Sequence, residues 1–147
     1  MTAGLFRQIL VGWDGSADAA EALRTAVAIA SPGGHVVALS VVQQHVRMEP
    51  HDEPEPGLDR LQLRAEAIFG QLRRHDADAD HVHTSTQTIT GDAGRAGQAL
   101  CSYAAEHRFD LIVMGRRGES IRPAHLGRSA KADAQASAVP VLLLSVP

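Results

Sequence analysis

Short apolar runs alternate along the chain with segments in which apolar residues recur every three or four positions. The first run covers Gln8 to Trp13 and is followed by a segment of helical periodicity. The apolar residues at that spacing are Ala19, Leu23, Val27 and Ala30. The second run, His35 to Val42, is rich in β-branched residues and nearly all apolar, which predicts an inner strand covered on both faces.

Small and polar residues predict the turns between these elements. Asp14-Gly15-Ser16 separates the first strand from the helix. Ser16 is placed to cap that helix, and Asp18 puts a negative charge in its first turn, where the helix dipole favours it. Pro32-Gly33-Gly34 is expected to end the helix.

The middle of the chain predicts a loop, a helix and an edge strand. Residues Gln43 to Gly57 carry three prolines and four acidic residues without periodicity, which is typical of a loop. An amphipathic helix follows, with apolar positions at Leu61, Ala65, Ile68 and Leu72. The segment His81 to Thr90 is rich in threonine and alternates weakly, so we expect a half-exposed strand at a sheet edge.

The last third of the chain continues the alternation. A third helix is predicted with Ala96, Leu100 and Tyr103 inward, followed by a fourth strand from Phe109 to Met114. A last helix precedes a final strand from Pro140 to Val146. The inward positions of that helix are Leu126, Ala130 and Ala134.

This order of elements, β-α-β-α-β-α-β-α-β, predicts an α/β fold. We expect an open, doubly wound, parallel sheet of five strands with helices on both faces, in a Rossmann-like arrangement. The whole chain, residues 1–147, is expected to form one domain. Sheets of this kind bind ligands outside the carboxyl ends of their strands, where the strand order reverses.

Composition narrows the classes of partner. The chain has 14 Lys and Arg against 17 Asp and Glu, a formal net charge of -3, so no overall field favours nucleic acid or an acidic membrane. Its longest apolar runs have the length of strands, which predicts no transmembrane helix. A single cysteine, Cys101, and an N-terminus without a signal-peptide pattern predict a cytoplasmic protein.

A glycine-rich segment follows the fourth strand. It begins with Gly115-Arg116-Arg117-Gly118, and a second cluster, Gly127-Arg128-Ser129, comes where the last helix should begin. Backbone N–H groups exposed in front of a helix N-terminus form a cradle for phosphate, which arginines reinforce. The alternative is that these glycines only turn the chain from strand to helix.

Several segments together resemble the universal stress protein family. They are ILVGWDGS, GDAGRAGQAL, DLIVMGRRG, the GRS cluster and the closing VPVLLLSV, in order over nearly the whole chain. The strand order of that family, 3-2-1-4-5, implies that strand one lies beside strand four, which would bring Asp14 and Gly115 together. The resemblance also implies ATP as the ligand, with Mg²⁺ as an ion that could accompany it.

Family members that bind ATP share a motif written G-x-x-G, nine residues, then G-(S/T), whose backbone and hydroxyl hold the phosphates. Gly115 and Gly118 match its start. Only eight residues separate Gly118 from Gly127, and Arg128 precedes Ser129, so one element of the motif is lost in either register. Arg128 could clash with a phosphate or donate a charge-assisted hydrogen bond to it.

Two further positions are implied by the resemblance. Asp14 matches the acidic residue that lies by the nucleoside in ATP-binding relatives. Val41 matches the end of the second strand, whose backbone reads the adenine edge. The alternative for Asp14 is a turn-stabilising role, since Asp-Gly is a common turn pair.

Other kinds of chemistry have less support. The chain contains no P-loop motif, and we find no nucleophile paired with a base. His81 and His83 would share one face of a strand and could chelate a metal, although the simpler interpretation is that they are surface histidines. We therefore predict no catalytic residue and no metal-binding residue.

Three functional hypotheses remain open. The first is a universal stress protein that binds an adenine nucleotide as a regulatory ligand and acts through partner contacts. The second is a dimeric interaction protein that has lost nucleotide binding, which the altered segment around Arg128 favours, and the third is a slow nucleotide hydrolase. The resemblance implies a homodimer paired through the last strand, because Val141 to Leu144 would otherwise leave an apolar sheet edge in water.

Overall fold

The computed structural model describes residues 6–43, 57–75, 81–91, 95–115 and 137–144. Within these ranges the strands are β1 (Phe6–Gly12), β2 (Ala30–Gln43), β3 (His83–Gly91), β4 (Leu111–Gly115) and β5 (Val141–Leu144). The helices are α1 (Ala17–Ile29), α2 (Gly57–His75) and α3 (Ala96–Glu106). Residues 44–56 of the predicted loop and the predicted last helix around Leu126, Ala130 and Ala134 lie outside the described residues.

The five strands form one parallel sheet with the order β3-β2-β1-β4-β5. This confirms the predicted doubly wound sheet and its strand order, with β1 between β2 and β4. It also confirms that the threonine-rich third strand lies at a sheet edge. Exposed and half-exposed residues alternate over most of β3 because successive side chains of a strand point to opposite faces of the sheet.

The helices cover both faces of the sheet, as predicted. Alternate residues of β1 point to opposite sides, so Ile9 and Val11 join the core under α1 and α2, whereas Leu10 joins the core under α3. Alanines of α1 such as Ala22 and Ala26 are fully buried, which lets the helix lie close to the strands. None of the helices in the described ranges is long and apolar enough to cross a membrane.

The start of β2 differs from the prediction. Helix α1 ends at Ile29, and Pro32-Gly33-Gly34 lie inside β2 instead of ending the helix. Ala30 pairs with Phe6 and His35 with Gln8. Between these two pairs β2 therefore has more residues than β1. Gly33 has a φ of 80° in this irregular stretch, a conformation that glycine adopts without steric cost.

The amino-terminal edge of the sheet carries every histidine that the structure describes. His35 lies in the first half of β2, His81 precedes β3 and His83 begins it. Because the crossover helices run antiparallel to the strands, His75 at the end of α2 and His107 at the end of α3 return to the same edge. The topology therefore places histidines from distant parts of the chain at one edge of the sheet.

His35 and His83 form a cross-strand pair at that edge. They are register partners, and their ring centroids are 6.3 Å apart. Burial, and secondly the charge of His83, lower the pKa of His35 below its ordinary value of 6.5. A depressed pKa means that the folded chain holds this proton less tightly than the unfolded chain does.

We predict that this pair makes the protein less stable in mild acid. As pH falls below 6.5, the unfolded chain binds a proton at His35 that the folded chain resists, so the free energy of unfolding decreases. Above that pH the imidazole is neutral in both states and the effect disappears. Thermal unfolding of wild type and His35→Gln between about pH 8 and about pH 5 should give melting temperatures that diverge, with wild type losing more.

The control for this prediction is His75→Gln, which removes an exposed histidine from the end of α2. Its melting profile should run parallel to that of wild type. Parallel profiles for wild type and His35→Gln would contradict the prediction.

Candidate functional site

The sheet opens a crevice at its carboxyl edge, where β1 ends before its neighbours. The ladder between β1 and β2 ends at Gly12 and Leu39, and the ladder between β1 and β4 ends at Val11 and Val113. Strand β2 continues to Gln43 and β4 to Gly115. The strand order reverses direction at this point, so the crevice occupies the ligand position of doubly wound sheets.

Val41 presents its backbone to this crevice. The N–H of Trp13 donates to the carbonyl of Leu39 at 2.9 Å, so Leu39 directs its backbone groups toward β1. Backbone groups alternate along a strand, and Val41 therefore directs its N–H and C=O to the same side. No residue of β1 pairs with Val41, because the chain has already turned away.

Gly115 presents its backbone to the crevice from the other side. The N–H of Ile112 donates to the carbonyl of Pro140 at 2.9 Å, so Ile112 faces β5 and the alternation turns Val113 and Gly115 toward β1. The pairing between β1 and β4 has already ended at Val113, before Gly115 is reached. The crevice is thus lined on both sides by strand backbone at the predicted positions Val41 and Gly115.

Asp14 lies in the turn that follows β1. Its Oδ1 accepts a hydrogen bond from the N–H of Ser16 at 2.9 Å, and Gly15 has a φ of 81°. The turn-stabilising role anticipated for Asp14 is therefore present. This bond involves one oxygen of a half-buried carboxylate, whose two oxygens offer about four acceptor positions in all.

Ser40 holds this turn in place and was not predicted from the sequence. Its buried hydroxyl donates to the carbonyl of Trp13 at 3.0 Å. A lone serine in the apolar run of β2 was the available signal, because a buried hydroxyl requires a partner. Ser40 is a positioning residue that ties Trp13, and with it Asp14, to β2.

Helix α1 begins at the floor of the crevice. The Oγ of Ser16 accepts from the N–H of Ala19 at 3.1 Å, which confirms Ser16 as the helix cap. Asp18 in the first turn is buried. A Cβ at Gly115 would lie 2.6 Å from the Cβ of Asp18, so α1 packs directly against the end of β4. The absence of a side chain at Gly115 serves this helix contact.

The structure brings together three of the predicted site residues, Asp14, Val41 and Gly115, at one edge of the sheet. The others lie outside the described residues, and they are Arg117, Gly118, Gly127, Arg128 and Ser129. Within the described ranges, no group of three or more His, Cys, Asp or Glu side chains could hold a metal ion.

Sequence comparison gives a family and a curated relative. The profile of the universal stress protein family matches residues 5–145. A protein of Thermus aquaticus, described as the universal stress protein in the QAH/OAS sulfhydrylase 3′ region, is 32% identical over 149 residues, which cover 95% of this chain and 99% of that protein.

Solved structures of universal stress proteins are similar to this chain in fold. A universal stress protein in complex with cAMP has a TM-score of 0.68 and 20% identity, covering 99% of this chain and 100% of that chain. A universal stress protein family protein from Arabidopsis thaliana, with AMP bound, has a TM-score of 0.50 and 17% identity, covering 95% of this chain and 91% of that chain. At these identities the likeness shows a shared α/β fold.

We predict that Gly115→Ala destabilises the protein by about 1–3 kcal/mol. The added methyl group would lie 2.6 Å from the Cβ of Asp18 and 3.3 Å from the backbone nitrogen of Ala19, which are not the flexible end of a side chain. The first turn of α1 must therefore move. Urea unfolding of the variant and wild type measures the loss of free energy.

Gly70→Ala is the matched control. The new Cβ would lie 3.6 Å from Nη1 of Arg74, an ordinary contact, inside helix α2. This variant should gain about 0.5–1 kcal/mol, because alanine is the better helix former. If Gly115→Ala were as stable as wild type, close packing between α1 and β4 would be excluded.

Proposed function

The chain belongs to the universal stress protein family, and on that basis we propose that it binds an adenine nucleotide, ATP, as a regulatory ligand in the stress response. The observation that carries this proposal is the crevice between β2 and β4, where both strands continue beyond the point at which β1 stops pairing with them. Relatives of the same fold support it, because one was solved with cAMP and another with AMP. Both of these ligands contain adenosine.

The adenine would lie against Val41. One edge of adenine carries an amino donor and a ring-nitrogen acceptor side by side. A strand residue with no neighbour on one side offers a carbonyl acceptor and an N–H donor in matching directions. Val41 is such a residue on the side of β1.

The ribose would lie over Asp14. A half-buried carboxylate at the floor of the crevice accepts hydrogen bonds from sugar hydroxyls. Oδ1 already accepts from Ser16, so the turn holds the carboxylate in place before the ligand arrives. Such preorganisation reduces the entropy lost on binding.

The phosphates would extend from the end of β4 into the segment that follows it. We assign them to Arg117, Gly118, Gly127, Arg128 and Ser129, with Mg²⁺ as an accompanying ion. The glycines give the phosphates access to backbone N–H groups, and the arginines supply charge. The protein would act through partner contacts that depend on the bound nucleotide, and not through turnover.

One observation favours a second candidate, an interaction protein that has lost nucleotide binding. Arg128 separates Gly127 from Ser129, which removes one element of the phosphate motif in either register. A bulky side chain at that point could fill the space of a phosphate. The two candidates make opposite predictions for nucleotide binding.

We predict that Asp14→Asn weakens ATP binding by roughly tenfold or more without loss of stability. Asparagine keeps the Oδ1 acceptor for the N–H of Ser16, so the turn survives. It loses the negative charge and one acceptor oxygen that the ribose hydroxyls would use. Calorimetric titration with ATP measures the affinity, and urea unfolding checks the stability.

Arg128→Gly decides between the two candidates. If Arg128 blocks the phosphates, this variant should bind ATP more tightly than wild type. If Arg128 contacts them, the variant should bind more weakly and with less dependence on salt. Absence of both calorimetric heat and a change in Trp13 fluorescence, in wild type and Arg128→Gly up to millimolar ATP, would reject the nucleotide proposal.

We also propose a homodimer that pairs through β5. This strand lies at the edge of the sheet and has the sequence Val-Leu-Leu-Leu, with every residue only half-buried. An apolar edge strand of this kind is a template for pairing with a second strand. A β5–β5 contact between two copies would cover it.

We predict that Leu143→Lys shifts the protein from dimer to monomer at micromolar concentration. The matched control is Ile89→Lys on the opposite edge strand, because Ile89 and Leu143 are both partly buried against the same core. That control should stay dimeric. Sedimentation measures the mass, and circular dichroism checks the fold. A wild type that is only monomeric would rule out the dimer.

A further inference from the structure

His35 is half-buried and His83 is exposed on the same face of the sheet. Along β2, His35 shares a face with Val37 and Leu39, which belong to the core under α3. Helix α3 packs over β2, β1 and β4. On the same face of β3, His83, Ser85 and Gln87 are exposed. The two imidazoles therefore lie beside each other where the helix layer ends.

The two rings lie close to the spacing of a pair that shares an ion. A metal ion lies about 2 Å from each coordinating imidazole nitrogen, so the ring centres of two ligands are roughly 5 Å apart. The observed separation is 6.3 Å, with the ring planes inclined at 54°. The strand register fixes the two Cα atoms opposite each other. A rotation of the exposed His83 side chain would have to close the remaining distance.

Ser85 orients one of the two rings. Its Oγ lies 2.9 Å from Nε2 of His35. In the tautomer whose Nε2–H donates to this hydroxyl, the lone pair is at Nδ1 of His35, free for coordination. Metal-binding histidines usually donate their second ring N–H to an oxygen in this way. The pair thus has two ligands and an outer hydrogen-bond acceptor.

We propose that His35 and His83 bind a divalent first-row transition metal, such as Zn²⁺ or Cu²⁺, at the amino-terminal edge of the sheet. Imidazole nitrogen is a preferred ligand of these ions, whereas Mg²⁺ and Ca²⁺ prefer oxygen. Within the described residues no third His, Cys, Asp or Glu completes a larger group, so water fills the other positions. The bound ion would join β2 to the edge strand β3.

The experiment is a titration of the full, nucleotide-free chain with ZnCl₂ in a buffer that does not chelate metals. Calorimetry should show binding, and nitrogen-edited NMR of the imidazoles should show the ring signals of His35 and His83 shifting together. His83→Asn should weaken this binding at least about tenfold, and Ser85→Ala should weaken it by roughly tenfold through loss of the outer hydrogen bond. Cu²⁺ should bind more tightly than Zn²⁺.

His107→Asn is the matched control, because it removes an exposed histidine from the same edge of the molecule but from helix α3. It should bind Zn²⁺ like wild type. Unchanged affinity in His83→Asn, or Zn²⁺-dependent shifts confined to other histidines, would overturn the proposal. Because His83 is exposed, its variant is expected to fold, and thermal unfolding checks this. The result does not depend on ATP binding at the opposite edge.

Discussion

The geometry of the crevice depends on how the chain leaves the sheet at Trp13. Three polar groups of this residue are bonded: its N–H to the carbonyl of Leu39, its carbonyl to the hydroxyl of Ser40, and its indole N–H to the carbonyl of Leu61. The ring itself is buried in the core under α1 and α2. Because the departure point is fixed by both β2 and α2, the turn that carries Asp14 cannot slide along the sheet. The crevice is therefore a property of the packed core and not of a loop alone.

The close contact between α1 and β4 completes this arrangement. The first turn of α1 lies against Gly115, and Ser16 caps it with a buried hydroxyl. A displacement of the helix toward β4 would have to compress this contact, and protein interiors have few voids to absorb such a shift. Close packing and hydrogen bonds therefore hold the end of β4 and the beginning of α1 together at this edge of the sheet.

Local pattern was sufficient for the fold and insufficient for the positioning contacts. Apolar runs, helical spacing and, for β3, a threonine-rich segment with weak alternation predicted every described strand and helix, because burial and exposure dictate these patterns along the chain. The prediction that the Pro-Gly-Gly segment ends helix α1 was wrong. The segment lies inside β2 because the residues on either side of it pair with Phe6 and Gln8, which lie far from it in the sequence. The bond from Ser40 to Trp13 is nonlocal in the same sense. The glycine-rich part of the predicted site lies outside the described residues and stays a prediction.

The topology also separates two kinds of chemistry along a single strand. In a parallel sheet, every strand-to-helix turn lies at the carboxyl edge and every helix-to-strand turn at the amino edge. Strand β2 presents Val41 to the crevice at one edge and His35 to the imidazole pair at the other. Between them, residues 36–40 are all buried in the packed core. The packed core therefore separates the two edges of the sheet, one of which carries Asp14 and the backbone of Val41 and the other the imidazoles of His35 and His83.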